Sequence, residues 1–371
     1  METIRLPDLC PHCGTRLQVR GSRRRAIIDC HPIRMIRRVF RLQRKHCPRC
    51  RRNVQARAPG VLPKGLYGNQ LLAHVAVQHY VHGVTLGQLE RQTGVGYSSL
   101  VQALHGLARR LAPVLIRLGR EYRQAPAKHA DETGWRTDGQ NGYAWLFATS
   151  RLSMFRFRKT RSAKVVHEML GPRRLPGVLV VDRYNAYNRA PCRLQYCYAH
   201  LKRDVEALAK EFPDTPEVLA FVKALAPLLG QAMHLRTLRL PLALFRPQAH
   251  RIRQDIERVV HAPASHPAIQ NIQNLFREKA HRLYAWTQHP SIPADNNLAE
   301  RELRPLVIAR KISFGSQSDA GAQTREVLMS VLLSLKKHTP NVQQALKAAL
   351  DTLAEDPDRD LYALLFSLNS S

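Results

Sequence analysis

The chain has 371 residues, 44% of them apolar, and carries 58 Lys and Arg against 28 Asp and Glu, a formal net charge of +30. That length allows two or three domains with real cores, and that apolar content excludes a basic disordered tail protein. So large a positive excess argues against a small-metabolite enzyme and for a polyanionic partner, because counterion release from nucleic acid drives binding to a basic surface.

The longest stretch without formal charge lies between Lys64 and Glu90. It holds His74, His79, His82, Asn69, Gln70 and Gln78 and is too polar to span a bilayer. Met1 to Leu9 carries Glu2, Arg5 and Asp8 with no apolar core, so no signal peptide is expected there. The expected location is the reducing cytoplasm, on the nucleoid. The seven cysteines then read as metal ligands or core residues rather than disulfides.

In chain order, the first 60 residues hold 16 Lys and Arg and 3 Asp and Glu, with a cluster at Arg23, Arg24 and Arg25 suited to DNA phosphates. C-P-H-C at Cys10 and Cys13 and C-P-R-C at Cys47 and Cys50 supply four thiolates for a structural Zn²⁺, and the 33 residues between them leave room for the strands of a zinc ribbon. His12, Cys30 or His31 are substitutes for one ligand. The loose alternation from Ile33 to Leu42 predicts a strand with one wet face. Residues 66 to 120 read as helices: one carrying Leu71, Leu72, Val75 and His79 on one face, a second from Thr85 to Thr93 closed by Gly94, and a third from Ser98 to Leu118 kinked at Pro113. The second and third have helix-turn-helix spacing, with an ordinary helical hairpin as the alternative.

Strands are then expected at Lys128 to Arg136, Tyr143 to Thr149 and Met154 to Arg158, followed by a helix from Ala163 to Leu170 closed by Gly171-Pro172. Gly177 to Val181 is purely apolar, the pattern of a central buried strand, and runs into Asp182. Helices return from Leu201 to Ala285, with breaks expected near Pro213, Pro216, Pro227, Pro241 and Pro263. A late helix begins at Asn296 or Asn297, and Pro305 is expected to end or kink it.

Three carboxylates stand apart: Asp131 in A-D-E-T-G-W, Asp182 in V-V-D-R-Y-N-A-Y and Glu300 in D-N-N-L-A-E-R-E-L-R-P. An ionised Asp at the end of a buried strand is costly without compensation, and a divalent cation is the natural one. Three converging carboxylates suit two Mg²⁺ ions about 3.5–4 Å apart. C-Y-A-H at Cys197 to His200 reads as a packed core cysteine and a histidine that contacts phosphate, with Arg203 behind it. Arg301, Arg304, Arg310 and Lys311 form a further basic stretch for DNA, Arg301 adjoining the candidate ligand.

Together with P-K-G-L at Pro63 to Leu66, these strings closely resemble the insertion-sequence 66 family of bacterial transposases, over nearly the whole chain. The family's usual C-W-A-H reads C-Y-A-H here, and the region before the zinc motif is shorter than usual. The resemblance implies an α/β, ribonuclease-H-like catalytic core with an N-terminal zinc ribbon and a helical insertion. It also implies an Asp-Asp-Glu active site of Asp131, Asp182 and Glu300 binding two Mg²⁺ or Mn²⁺ ions. The expected organisation is a zinc-ribbon DNA-binding module (1–58), a helix-turn-helix-like region (59–125), the first part of the core (126–210), the insertion (211–290), the closing helix (291–345) and a tail (346–371). The expected activity is cleavage at the ends of an insertion sequence and strand transfer into target DNA. Expected partners are double-stranded DNA, a second copy of the chain and small accessory transposition proteins. The rivals are a non-catalytic zinc-ribbon DNA-binding protein and a ribonuclease or resolvase on the same core.

Overall fold

The computed structural model describes residues 13, 16, 35–46, 48–51, 53–63 and 65–366. The chain divides into two units, Met1–Arg38 and Val39–Ser371, and the second holds every element below. Residues 35–42, expected as a strand, form none. Alternation supplies a wet and a dry face but no partner for the backbone. The pairing is made instead by β1 (Arg44–His46) and β2 (Asn53–Gln55), an antiparallel hairpin.

Three helices follow: α1 (Asn69–Tyr80), α2 (Leu86–Thr93) and α3 (Tyr97–Gln124). Thr85 and Gln88 form a reciprocal capping box on α2, and Gly94 closes it in the left-handed conformation. The long α3 continues without a break past Pro113. Leu100, Leu104, Leu107, Leu111, Val114 and Leu118 recur at helical spacing and are buried, which makes α3 a core helix.

Among the described residues, five strands make the central sheet: β3 (Ala127–Gly134), β4 (Tyr143–Ala148), β5 (Ser153–Arg158), β6 (Val178–Val181) and β7 (Arg193–Tyr196), in the order β5-β4-β3-β6-β7. β4 is antiparallel to β3 and β5, whereas β3, β6 and β7 are parallel. The crossover from β5 to β6 uses α4 (Ala163–Leu170). Gly177, the residue before β6, has φ +73°, and an added Cβ there would lie 2.4 Å from the Pro126 carbonyl, so only glycine lets β6 approach the start of β3.

Helices α5 (Tyr198–Glu211), α6 (Pro216–Leu235), α7 (Leu242–His261) and α8 (Pro267–Glu278) follow β7. The break expected at Pro227 does not occur: α6 continues through it, because Leu225, Ala226 and Leu229 around it are buried and their packing offsets the lost hydrogen bond. Pro216–Leu238 is also long and apolar enough to cross a membrane by length and composition alone, but it lies packed on α5 and α7. Nor does Pro305 end α9 (Asn297–Ser313), whose later turns are tied to β3 by Arg310.

The chain closes with α10 (Asp319–Leu335), α11 (Val342–Glu355) and α12 (Leu361–Phe366). α10 lies along the open edge of β5. The backbone N–H groups of Ser153, Phe155 and Phe157 donate to Ser334 Oγ, Ser330 Oγ and Glu326 Oε2 at 3.0, 2.8 and 3.1 Å. Two residues of strand advance about 6.8 Å and four residues of helix about 6 Å, so a polar side chain every fourth residue keeps step with alternate strand N–H groups. An edge that would otherwise recruit another strand is thereby satisfied from within.

Candidate active site

The parallel register sets the site. His129 pairs with Val180 and Val181 with Tyr196. Continued to the strand ends, it puts Asp131, Asp182 and Cys197 at one level on three neighbouring parallel strands. Carboxyl ends of parallel strands are where open α/β sheets bind ligands. The Glu132 backbone N–H donates to Asp131 Oδ1 at 2.9 Å, and the Tyr184 N–H to Asp182 Oδ1 at 2.8 Å.

Glu300 arrives from α9, whose entry is fixed by a buried clamp. Asn296 donates through Nδ2 to the Ala130 carbonyl at 2.9 Å and accepts through Oδ1 from His129 Nδ1 at 2.9 Å. Since the amide orientation makes Oδ1 the acceptor, His129 is a neutral Nδ1–H tautomer, and burial pushes its pKa down to about 4. Cys197 Sγ accepts from the Asn296 N–H at 3.1 Å, and the Tyr198 N–H donates to the Ala294 carbonyl at 2.8 Å. The cysteine is therefore the buried structural residue expected, and burial raises its pKa to about 11.

Glu300 sits in the first turn of α9, where the helix dipole favours its charge. His200 Nδ1 and Arg203 Nη2 on α5 face its Oε1 at 3.9 and 3.7 Å. Glu300 Oε1 and His200 Nδ1 are both buried without a hydrogen-bond partner. Among the described residues, the ligand atoms of Cys197, His200 and Glu300 all lie within 4.8 Å of one another, and no such group joins Glu300 to both aspartates. Oxygens bound to different ions of a two-ion site are spaced more widely than that around one ion. The fields of Asp182 and Glu300 nevertheless reach Asp131. Burial first, then Glu132, then these two push the Asp131 carboxyl up to about 7. Crowded carboxylates and an orphaned buried carboxylate oxygen are the donor set that hard divalent cations satisfy.

A second acid was not anticipated. Glu132, next to Asp131 and on the opposite face of the strand, is held by Tyr187 Oη and by Arg161 through Nε and Nη2 at 3.0 and 2.7 Å. Arg161 lies over the Tyr184 ring at 4.0 Å, and Tyr184 is the residue whose N–H holds Asp182. Glu132 and both tyrosines stand inside the motif strings, but nothing in the strings shows that they meet.

The remaining basic residues divide. Arg301, Arg304 and Lys311 are exposed on α9. Arg310 engages Thr133 Oγ1 at 3.0 Å and the Gly134 carbonyl at 2.6 Å. Arg23, Arg24, Arg25, Cys10 and Cys47 lie outside the described residues, while Cys13 and Cys50 are exposed. A cavity of about 650 Å³ opens elsewhere, between residues 62–67 and α3, and none of the carboxylates lines it.

The family model described as "Transposase IS66 family" matches residues 64–324. Two relatives from Sinorhizobium fredii (strain NBRC 101917 / NGR234), "Uncharacterized protein y4jD" and "Uncharacterized protein y4qI", are each 25% identical to this chain. The alignments cover 88% and 84% of this chain and 71% and 65% of those relatives. The family match takes in the whole central sheet, both aspartates and Glu300, and it covers well over half of the sequence: the chain belongs to the IS66 family of transposases.

Proposed function

We propose that the chain is a metal-dependent DNA transposase in which Asp131, Asp182 and Glu300 of a ribonuclease-H-like core hold two Mg²⁺ or Mn²⁺ ions. The observation that carries this reading is the level placement of Asp131 and Asp182 on adjacent parallel strands, with Glu300 Oε1, which accepts no hydrogen bond, on the helix clamped to that strand end by Asn296. The sheet order, with one antiparallel strand between the first and third, supports the ribonuclease-H-like assignment.

When bound, the ions lower the pKa of the water that attacks a phosphodiester at the element's end and stabilise the leaving 3′ oxygen. The freed 3′-OH then attacks target DNA in the same in-line geometry. Asp131 and Asp182 hold the ions with oxygens fixed by the Glu132 and Tyr184 N–H groups. His200 and Arg203, facing Glu300, orient the scissile phosphate. Exposed Arg301, Arg304 and Lys311 supply charge along the flanking strand. Cys10, Cys13, Cys47 and Cys50 hold a structural Zn²⁺, a reading supported by the position of Cys50 in the turn between β1 and β2. Cutting two ends requires at least two copies of the chain.

The test is cleavage of DNA bearing the element's terminal repeats in Mg²⁺ or Mn²⁺. Wild type is expected to nick it, and Asp131→Asn, Asp182→Asn and Glu300→Gln to bind it without nicking. Retained cleavage by any one variant refutes the triad. Binding without cleavage by the wild type leaves only a DNA-binding protein.

A further inference from the structure

Arg325 on α10 is a buried cation, 7% exposed, and among the described residues no carboxylate pairs with it. Its guanidinium meets Met329 Sδ at 3.8 Å, His79 Nε2 at 3.3 Å and the rings of Tyr80 and Trp135, each centroid 5.2 Å away. His79 supplies no negative charge. Its Nδ1 donates to the Val84 carbonyl at 2.8 Å, which leaves Nε2 a bare acceptor, and burial followed by the Arg325 charge pushes its pKa down to about 4. A guanidinium has five N–H donors, and these partners account for two. Buried charges in folded proteins are ordinarily paired.

The unpaired guanidinium opens on a cavity of about 420 Å³ between α2, α3 and the segment joining α9 to α10. His105, Thr324 and Gln317 add polar groups to its lining, which contains no Asp or Glu. Leu86, Val101 and the half-exposed Tyr97 form an apolar and aromatic wall. Ser318, the N-cap of α10, and Gly321 of its first turn also line this space. The lining is rigid at Gly315: φ is +132° and an added Cβ would lie 2.2 Å from the Arg136 carbonyl. Ser316 is bonded on both sides, to Arg136 O and from Asp138 N, at 2.9 Å. The volume is within the range of small-molecule sites and larger than a bare phosphate needs.

We propose that this cavity binds a nucleotide-sized phosphate ester, with the phosphate on Arg325 and the base against Tyr97, Leu86 and Val101. The same chemistry is presented by a free mononucleotide and by one nucleotide of a DNA strand. Asp131, Asp182 and Glu300 do not line the cavity, so the assignment stands apart from the metal-ion reading.

Calorimetric titration of the full-length protein, without divalent metal at about 0.15 M salt, with inorganic phosphate, dAMP and a short single-stranded oligonucleotide tests it. dAMP is expected to bind, and more tightly than phosphate. Arg325→Met should weaken it about 10- to 100-fold, the worth of charge-assisted hydrogen bonds to an anion. Because Arg325→Met removes a buried group, Val101→Trp, which fills the cavity from its wall, should weaken dAMP comparably while leaving the melting temperature close to wild type. Hydrogen-exchange protection should concentrate at residues 97–105 and 314–325. Arg325-dependent protection there by the oligonucleotide but not by dAMP assigns the nucleotide to a DNA strand. Asp131→Asn should bind as wild type does, so a failed cleavage test leaves this site standing. Equal affinity in both variants, or no protection of these segments by any of the ligands, overturns the proposal.

Discussion

Asp131→Asn provides a quantitative test of the carboxylate cluster that needs no DNA. In the folded protein the Asp131 carboxyl is pushed from 3.8 up to about 7 by burial and by three neighbouring acids. Between those two values the unfolded chain has released a proton that the folded protein still holds. The folded state therefore binds more protons, and stability falls as pH rises through the window. At about 1.36 kcal/mol per pH unit, the full gap corresponds to about 4 kcal/mol, absent below pH 3.8 and complete above pH 7. Removing the titrating group removes the penalty. Asp131→Asn should match wild type at low pH, exceed it by about 2 kcal/mol near pH 5.5, and by up to about 4 kcal/mol at pH 8. Mg²⁺ should stabilise the wild type at pH 8 more than at pH 5.5, since it binds the ionised form, and should stabilise the variant less. Urea unfolding followed by circular dichroism across pH 4 to 8, with and without Mg²⁺, measures both effects. A difference between the proteins that does not vary with pH would show that Asp131 does not feel its neighbours as argued.

Two further outcomes follow from other parts of the molecule. Ser330→Ala leaves the buried Phe155 N–H without an acceptor on the edge of β5, and should cost about 1–3 kcal/mol in urea unfolding; a loss under about 0.5 kcal/mol would mean that α10 does not cover that edge through its serines. Elemental analysis of the purified protein should find one zinc per chain, lost in Cys10→Ser and in Cys47→Ser; zinc retained in both would remove the four-thiolate reading.

Where side-chain period and backbone chemistry act within one element, the sequence was sufficient. The helix over Ala163–Leu170, the stop at Gly94 and the buried strand running into Asp182 all follow from neighbours a few residues apart. The motif strings singled out Asp131, Asp182 and Glu300 as candidates, and the basic composition suited a family that acts on DNA. Partner choice across the chain was not legible. β7, Arg193-Leu194-Gln195-Tyr196, is only four residues long, and its alternation would leave Gln195 on a wet face; Gln195 is instead fully buried, its Nε2 donating to the Leu283 carbonyl and its Oε1 accepting from the Trp286 N–H. Proline is a local prohibition that packing overrode at Pro227 and Pro305. Glu132 finds Arg161 and Tyr187, Asn296 reaches back to Ala130, and Arg325 is left without an acid among the described residues, only through the tertiary arrangement. Local order is set by interactions that every copy of a segment carries with it. Which charges meet is set by strand register and helix docking, and those are fixed by the sum of many weak contacts between residues far apart in the chain, 29 positions for Glu132 and Arg161 and 166 for Asn296 and Ala130.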